Sequence, residues 1–301
     1  MNYITGKDIA LKWGVSERMV RKYCTQNRIP NAYCERGTWH IPEDTPKPKR
    51  EGKQTPEAPL PPLAKKIQYQ RKKNNHFGIY EYIQVNLAYS SCRMASNRLT
   101  RTQILEMYRT HKISKSFEAT KIDDIIEIIN HFICVQHMVD TINAPLTQVL
   151  VRKYHQLLTY GTYADRQHKL GCGEFRTTSK NLCVAPKDIS VALSEIIRDY
   201  ERSPANLERI LDFHVKFEKI HPFDDYNGRV GRIIMVKECL RHGIDPFIID
   251  DKRRTRYFQG IKDWSNGRDK FLDVVMEAQE RFKAQIELQH LHAQHARFVE
   301  S

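Results

Sequence analysis

The sequence has no Cys-x-x-Cys pair; its seven cysteines, at positions 24, 34, 92, 134, 172, 183 and 239, stand singly. An odd, dispersed set argues against a disulfide framework and against a zinc ribbon. No apolar run reaches the roughly 18–20 residues that a bilayer-spanning helix needs. The opening stretch, MNYITGKDIALKWG, lacks the apolar segment of a secretory signal. A cytoplasmic protein without a membrane partner is therefore expected. No period of 20–50 residues repeats, which removes a solenoid, and no Gly-x-x-x-x-Gly-Lys-[Ser/Thr] string occurs, which removes a P-loop. What is present is ordinary in bulk: 301 residues, 40% apolar and 28% charged. That suits one full core with a small appendage, or two modest domains.

The net charge of +13 is unevenly placed. Residues 1–75 carry +9 and the remaining 226 carry +4, so a polyanion partner is expected at the front. Eight of the thirteen prolines lie between Pro30 and Pro62, and 45–75 (TPKPKREGKQTPEAPLPPLAKKIQYQRKKNN) has almost no apolar periodicity. This stretch reads as an extended linker, which leaves residues 1–44 as a separate small module. There, Thr5 can cap a first helix with Asp8 near its positive end, and Gly14 stops it. Ser16 caps a second helix whose Met19, Val20 and Tyr23 turn inward, leaving Arg18, Arg21 and Lys22 outside. A short hairpin-like stretch, 37–42, follows. The string resembles the winged helix-turn-helix of excisionase-like and MerR-like proteins, which implies DNA binding through Arg18, Arg21 and Lys22 and, from half-site geometry, a homodimer. The rival is a protein-contact module with solvated cations.

From residue 76 onward helical periodicity dominates, over 121–142, 146–160, 190–200, 206–219, 229–242 and 269–288. In the first of these, Ile122, Ile125, Ile126, Ile129, Phe132 and Ile133 share one broad face. Residues 171–186 form a non-helical island suited to a hairpin. The fold class is therefore mainly α, with one small β-hairpin in the body.

Residues 221–232 read His-Pro-Phe-Asp-Asp-Tyr-Asn-Gly-Arg-Val-Gly-Arg and form a loop between two core helices. Arg229 and Arg232 fall in the first turn of the second helix, where the dipole disfavours cations. Asn227-Gly228 just before them can aim consecutive backbone amides at one point. Such a cluster repels itself unless an anion sits within it, and a phosphate group fits best. Asp225 supplies a hard oxygen suited to Mg²⁺ beside that anion, with Asp224 the alternative. His221 is the imidazole that can take a proton near neutral pH, and Phe223 reads as an anchor.

The string resembles the Fic motif, His-x-Phe-x-[Asp/Glu]-Gly-Asn-Gly-Arg-x-x-Arg, and the resemblance extends over roughly residues 80–285, including Gly173-Glu174-Phe175-Arg176 and Gly243-Ile244-Asp245-Pro246. It implies a mainly helical enzyme, a protein adenylyltransferase that moves AMP from ATP to a hydroxyl side chain of a target protein, self-modification included. By the resemblance His221 is the base and Asp225 the Mg²⁺ ligand. Asn227, Gly228 and Arg229 hold the α- and β-phosphates, Arg232 holds the γ-phosphate, and Tyr257 lines the adenine pocket beside Phe258. Thr177, Thr178, Ser179, Lys180, Asn181, Leu182, Cys183 and Val184 form a flap that docks the target by strand addition. Tyr226 departs from the family's usual Gly. Two rivals stand: transfer of another nucleotide or of phosphate, and a DNA-binding regulator whose body only senses nucleotide.

The resemblance also bears on control. Many Fic proteins carry [Ser/Thr]-x-x-x-Glu-[Gly/Asn] ahead of the core, and that Glu pairs with the second motif arginine. Here 91–100 resembles the segment and its usual Asn-x-Leu-Thr sequel, with Ser91 opening the first and Asn97 the second, but Ala95 stands at the glutamate position. The expectation is an unlocked enzyme in which Arg232 is free. Whether Ala95 is natural or a replacement stays open.

Overall fold

A computed structural model describes residues 3–25, 28–30, 32–35, 37–48, 59–73, 77–113, 117, 120–180 and 183–299, without the side chains of 35 and 290–299. The chain divides into two compact units, Met1–Glu57 and Ala58–Ser301.

In the first unit, β1 (Tyr3–Thr5) leads into α1 (Gly6–Trp13) and α2 (Glu17–Thr25), followed by β2 (Tyr33–Glu35) and β3 (Thr38–Pro42). Thr5 and Asp8 close a capping box at the start of α1, which satisfies two otherwise orphaned amides. Gly14 ends the helix in the left-handed region, φ 62°, a conformation glycine enters without a Cβ clash. The strands form one antiparallel sheet in the order β1-β3-β2, with Ile4 opposite Ile41 and Cys34 opposite Trp39. Ile9, Val20, Tyr23 and Ile41 are buried between helices and sheet, while Arg18, Arg21 and Lys22 are exposed.

The second unit is helical. Its elements are α3 (Pro62–Lys72), α4 (Ile79–Arg93), α5 (Arg101–Thr110), α6 (Ile122–Asp140), α7 (Gln148–Thr159), the single turn α8 (Tyr163–Arg166), α9 (Ile189–Glu201), α10 (Leu207–Ile220), α11 (Asn227–His242), α12 (Arg254–Asp263) and α13 (Asp269–Val299). The axis of the unit is α11, buried without a break from Arg229 to Leu240, so the charged side chains on it must find partners inside the fold. Its buried charges are paired: Lys237 Nζ lies 2.6 Å from Glu238 Oε1 and donates to Ala144 O at 2.6 Å, while Glu238 Oε2 meets Arg241 Nη1 at 3.2 Å and accepts from the Tyr200 hydroxyl at 3.0 Å. Helices α4, α6, α7 and α10 pack around it.

Three expectations need correcting. The 45–75 linker is too long. The Lys47 ammonium donates to Trp13 O at 2.7 Å and Trp13 Nε1 donates to Thr45 O at 3.3 Å, so the chain folds back on α1 at its near end. At the far end Pro62 starts α3, which buries Ala64 and Ile67; proline is well suited to a first helical turn. Second, the isoleucine face of α6 is not its core face. Ile122 is 71% exposed and Ile129 and Ile133 are nearly half exposed, whereas Ile128, Val135, Met138 and Val139 are buried. With apolar residues on both sides of the helix, periodicity alone does not choose between them. Third, no strand forms in 171–186 among the described residues; the Thr178 and Val184 carbonyls accept from the Arg176 guanidinium.

Candidate functional site

The loop 221–226 is shaped by two residues in the left-handed region. His221 ends α10 with φ 51°, its N–H donating to Phe217 O at 3.0 Å, and Tyr226, φ 64°, precedes α11. For a tyrosine this costs about 1 kcal/mol. Asn227, 2% exposed, locks the turn: its Oδ1 accepts the Phe223 N–H at 3.0 Å and its Nδ2 donates to Phe223 O at 2.9 Å. Both ends of the Asn227 amide are thus used on the loop. Phe223 is fully buried and stacks on His155 at 3.9 Å, so it anchors the loop as the sequence suggested.

A buried arginine to which the motif gives no role does much of the holding. Arg176, 2% exposed, donates from Nε to His221 O at 2.7 Å and from Nη1 to Thr178 O at 2.7 Å, and from Nη2 to Val184 O. Its own N–H donates to Pro222 O at 2.9 Å. One guanidinium therefore fastens the 171–185 stretch to the motif loop and fixes the backbone of His221. The flap residues Thr177, Thr178, Ser179 and Lys180 lie beside that loop. Thr178 Oγ1 donates to Asp224 Oδ1 at 3.0 Å and Lys180 Nζ to Asp224 O. Cys183 and Val184 are partly buried, and Asn181 and Leu182 lie outside the described residues. Asp224 is thus occupied by the flap.

His221 is partly buried, and its pKa is lowered by burial and by the cations Lys180 and Arg176. The ring is therefore neutral at neutral pH, as a base must be. Asp225 is 70% exposed on its side chain. The Tyr226 N–H at 2.6 Å and Arg229 Nη2 at 3.5 Å both meet Oδ1. Among the described residues no three His, Cys, Asp or Glu side chains gather to hold a metal unaided. A single exposed carboxylate fits Mg²⁺, which keeps waters and takes its other oxygens from substrate phosphates.

The arginines correct the expectation of two unpaired guanidinium groups awaiting an anion. Arg229, 4% exposed, pairs with Glu127 Oε1 of α6 at 3.0 Å, and its Cζ lies 3.2 Å from the Tyr226 ring centroid. Arg232, 5% exposed, is not free: Nε donates to Ser91 Oγ at 3.0 Å and Nη2 to Ser91 O at 3.1 Å. The chain turns tightly after α4, with Ala95 exposed and Asn97 buried. Asn97 Nδ2 donates to Asp124 O at 2.9 Å and to Glu127 Oε2 at 3.1 Å. Ser91 and Asn97 therefore do meet the motif's surroundings, and Ala95 offers no carboxylate. Gly228 is needed for space, since a Cβ there would stand 2.9 Å from Arg232 Nη1. Tyr257 is corrected too. Fully buried, it meets His214 Nε2 at 2.7 Å through its hydroxyl, so it is a core group with no face for a base, while Phe258 is 43% exposed. Below the arginines sits Glu218, its carboxyl pushed up to about 7 by burial, with Oε1 lacking a hydrogen bond among the described residues.

The body is mainly helical, with a helix–loop–helix that presents a histidine, an exposed carboxylate and two buried arginines, and its fold is of the Fic type. Residues 145–239 match the Fic/DOC family model. It is 25% identical over 183 residues to a protein from Drosophila grimshawi named protein adenylyltransferase Fic, and 26% identical over 185 residues to its namesake from Drosophila willistoni; each match spans 58% of this chain. The chain spans about a third of the length of these relatives, 36% and 35%. In fold it is similar to a Fic domain containing signaling protein from Bacteroides thetaiotaomicron, TM-score 0.58 at 15% identity, over 75% of this chain and 94% of that one. It is similar also to Fic-1 from C. elegans, TM-score 0.56 at 18% identity, over 78% and 72%.

Proposed function

We propose that this chain is an ATP- and Mg²⁺-dependent protein adenylyltransferase. The observation that carries the reading is the neutral, partly buried His221 held at the mouth of a loop that buries two arginines. His221 takes the proton of a target hydroxyl as that oxygen forms its bond to the α-phosphorus of ATP. The bond to the bridging oxygen breaks in line, and pyrophosphate leaves. Asp225 would hold Mg²⁺, which neutralises phosphate charge. Arg229, Arg232 and the first amides of α11, Gly228 among them, face the polyphosphate, and catalysis comes from positioning and charge. A target segment would dock along Thr177, Thr178, Ser179 and Lys180, beside the motif loop. The similarity to proteins named protein adenylyltransferase supports the same reading.

With alanine at 95, Arg232 hydrogen-bonds the neutral Ser91 and lies over the Tyr257 ring, 5.9 Å from its centroid, and a γ-phosphate can displace neutral partners more easily than a carboxylate. The enzyme is therefore unlocked and modifies itself. The front unit adds DNA binding through Arg18, Arg21 and Lys22, with a homodimer reading two half-sites. Incubation with ATP labelled at the α- or the γ-position tests the chemistry. Protein label from the α-position alone is the expected result. Label from the γ-position alone means phosphorylation, and no label with intact nucleotide binding means a sensor.

A further inference from the structure

Among the described residues, Glu127 is the carboxylate outside the motif that forms an ion pair with a motif arginine. It lies about a hundred positions upstream, in the isoleucine-rich run of α6, and both of its oxygens are in use. Oε1 accepts from Arg229 Nη1 at 3.0 Å and from the Tyr226 hydroxyl at 2.9 Å; Oε2 accepts from Asn97 Nδ2 at 3.1 Å. The Tyr226 ring covers the face of the same guanidinium, 3.2 Å from its Cζ. Arg229 is thus gripped along one edge and one face. Its Nη2 is directed toward Asp225, 3.5 Å away, at the exposed mouth of the loop.

We propose that Glu127 is the positioning residue for Arg229, with Tyr226 completing the hold by ring and hydroxyl. The proposal rests on the nucleotide-transfer reading of the same site. A guanidinium fixed before the substrate arrives needs no reorganisation when charge develops on the phosphate. The same grip gives a reason for tyrosine at 226 despite its left-handed backbone: the side chain recovers, through a cation–π contact and a charge-assisted hydrogen bond, what the backbone conformation costs. It also ties the 91–100 segment to the phosphate site, through Asn97.

Orientation and attraction then oppose each other, because the carboxylate that fixes Arg229 also neutralises it. Glu127→Gln removes the charge and keeps the shape. In the full chain, this variant is expected to bind Mg·ATP as tightly as the parent or more tightly. Its transfer from α-labelled ATP should fall about ten- to hundredfold in kcat with KM not raised. Tyr226→Phe, which keeps the ring and loses the hydroxyl, should fall less and in the same direction. Arginine side-chain NMR should show a restrained Arg229 guanidinium in the parent and a freely rotating one in Glu127→Gln. Faster transfer by Glu127→Gln would overturn the proposal, since the carboxylate would then be a lock competing with phosphate. So would a parallel loss of melting temperature, ATP binding and transfer, the mark of a purely structural contact. If the parent chain transfers no label, the transfer reading fails on its own. The binding and NMR arms still decide whether Glu127 holds Arg229: an Arg229 signal unchanged by Glu127→Gln refutes the hold.

Discussion

Two helices of this molecule carry clustered cations and treat them in opposite ways. In α2, Arg18, Arg21 and Lys22 are exposed on a helix whose inner face is Val20, Tyr23 and Cys24. In α11, Arg229 and Arg232 are 4% and 5% exposed and each has definite partners: Glu127 and Tyr226 for the first, Ser91 for the second. Solvated cations at a surface act at long range, are screened by salt and give little geometry. Buried, hydrogen-bonded cations act at one point with fixed direction, and the structure around them must be arranged to accept the charge. Sequence alone shows the same residue types in both places. The difference lies in what surrounds them, and it separates an attracting surface from a chemical site.

The largest effect that can break this contrast is loss of the base. If the buried cluster is the chemical site, His221→Ala should keep nucleotide binding and lose transfer by about 10²–10⁴-fold, the usual worth of a positioned proton acceptor. Label transfer with purified protein measures it, and undiminished transfer would remove His221 from the mechanism. Next in size is the restored lock. Ala95→Glu, four positions after the Ser91 that Arg232 meets, is expected to bring a carboxylate to that guanidinium. A charged hydrogen bond of about 1.5–3 kcal/mol corresponds to a tenfold to hundredfold fall in the competent ATP pose. Adding Arg232→Ala should not restore activity, because the arginine that meets the γ-phosphate would be gone as well. Unchanged activity in Ala95→Glu would mean that the glutamate position is not above the motif.

Burial sharpens the contrast through pH. His131, His155 and His214 are buried around the motif, and burial, assisted at His131 and His214 by the neighbouring arginines, lowers their pKa values to about 3, 4 and 3. Unfolded histidine titrates near 6.5. Between those values the unfolded chain binds the extra protons, so the stability these rings contribute is complete above about pH 6.5 and declines as pH falls toward 4. At pH 5 each costs about 2 kcal/mol. Glu218, raised to about 7 by burial, works the other way: its contribution is complete below the ordinary carboxylate range and is lost as pH rises through 7. Three histidines outweigh one carboxyl, so the urea midpoint should fall clearly from pH 7.5 to pH 5. An unchanged midpoint would mean that the rings are solvated.

How far the sequence revealed these things depends on where the information sits. The motif loop was legible because each of its roles demands a residue type within twelve positions. A proton acceptor, a hard oxygen, a left-handed turn and two cations at helical spacing leave few readings. Glu127 was not legible, because an acid within an isoleucine-rich helix looks like a solvated residue until the tertiary fold brings Arg229 to it. The same helix shows why its core face was misplaced, since Ile128 and Val135 compete with Ile122 and Ile129 and only the packing against α4, α7 and α11 decides. The expected hairpin failed for a reason that strand propensity does not contain: Arg176 donates to the Thr178 and Val184 carbonyls, which a partner strand would otherwise take. Tyr257 shows the reverse error, an aromatic assigned to a ligand that the core had already claimed.

The smallest expected effect falls on the front unit, where its smallness is the point. Replacing Arg18, Arg21 and Lys22 together by alanine removes three exposed charges, and none of the three belongs to the unit's buried core. Surface substitutions of this kind shift stability by about 0.5 kcal/mol or less each, and alanine is the better helix former, which offsets part of that. The melting temperature should therefore hold. If these residues meet DNA phosphates, affinity should drop on every sequence alike, and the slope of log affinity against log salt should flatten by about one for each phosphate no longer neutralised. Titrating a labelled duplex at several salt concentrations, parent against triple variant, reads both numbers at once. A parent whose binding shows no salt dependence would return the front unit to the protein-contact reading. A triple variant that unfolds would mean that these cations are held by the fold after all, and the contrast between α2 and α11 would be one of degree.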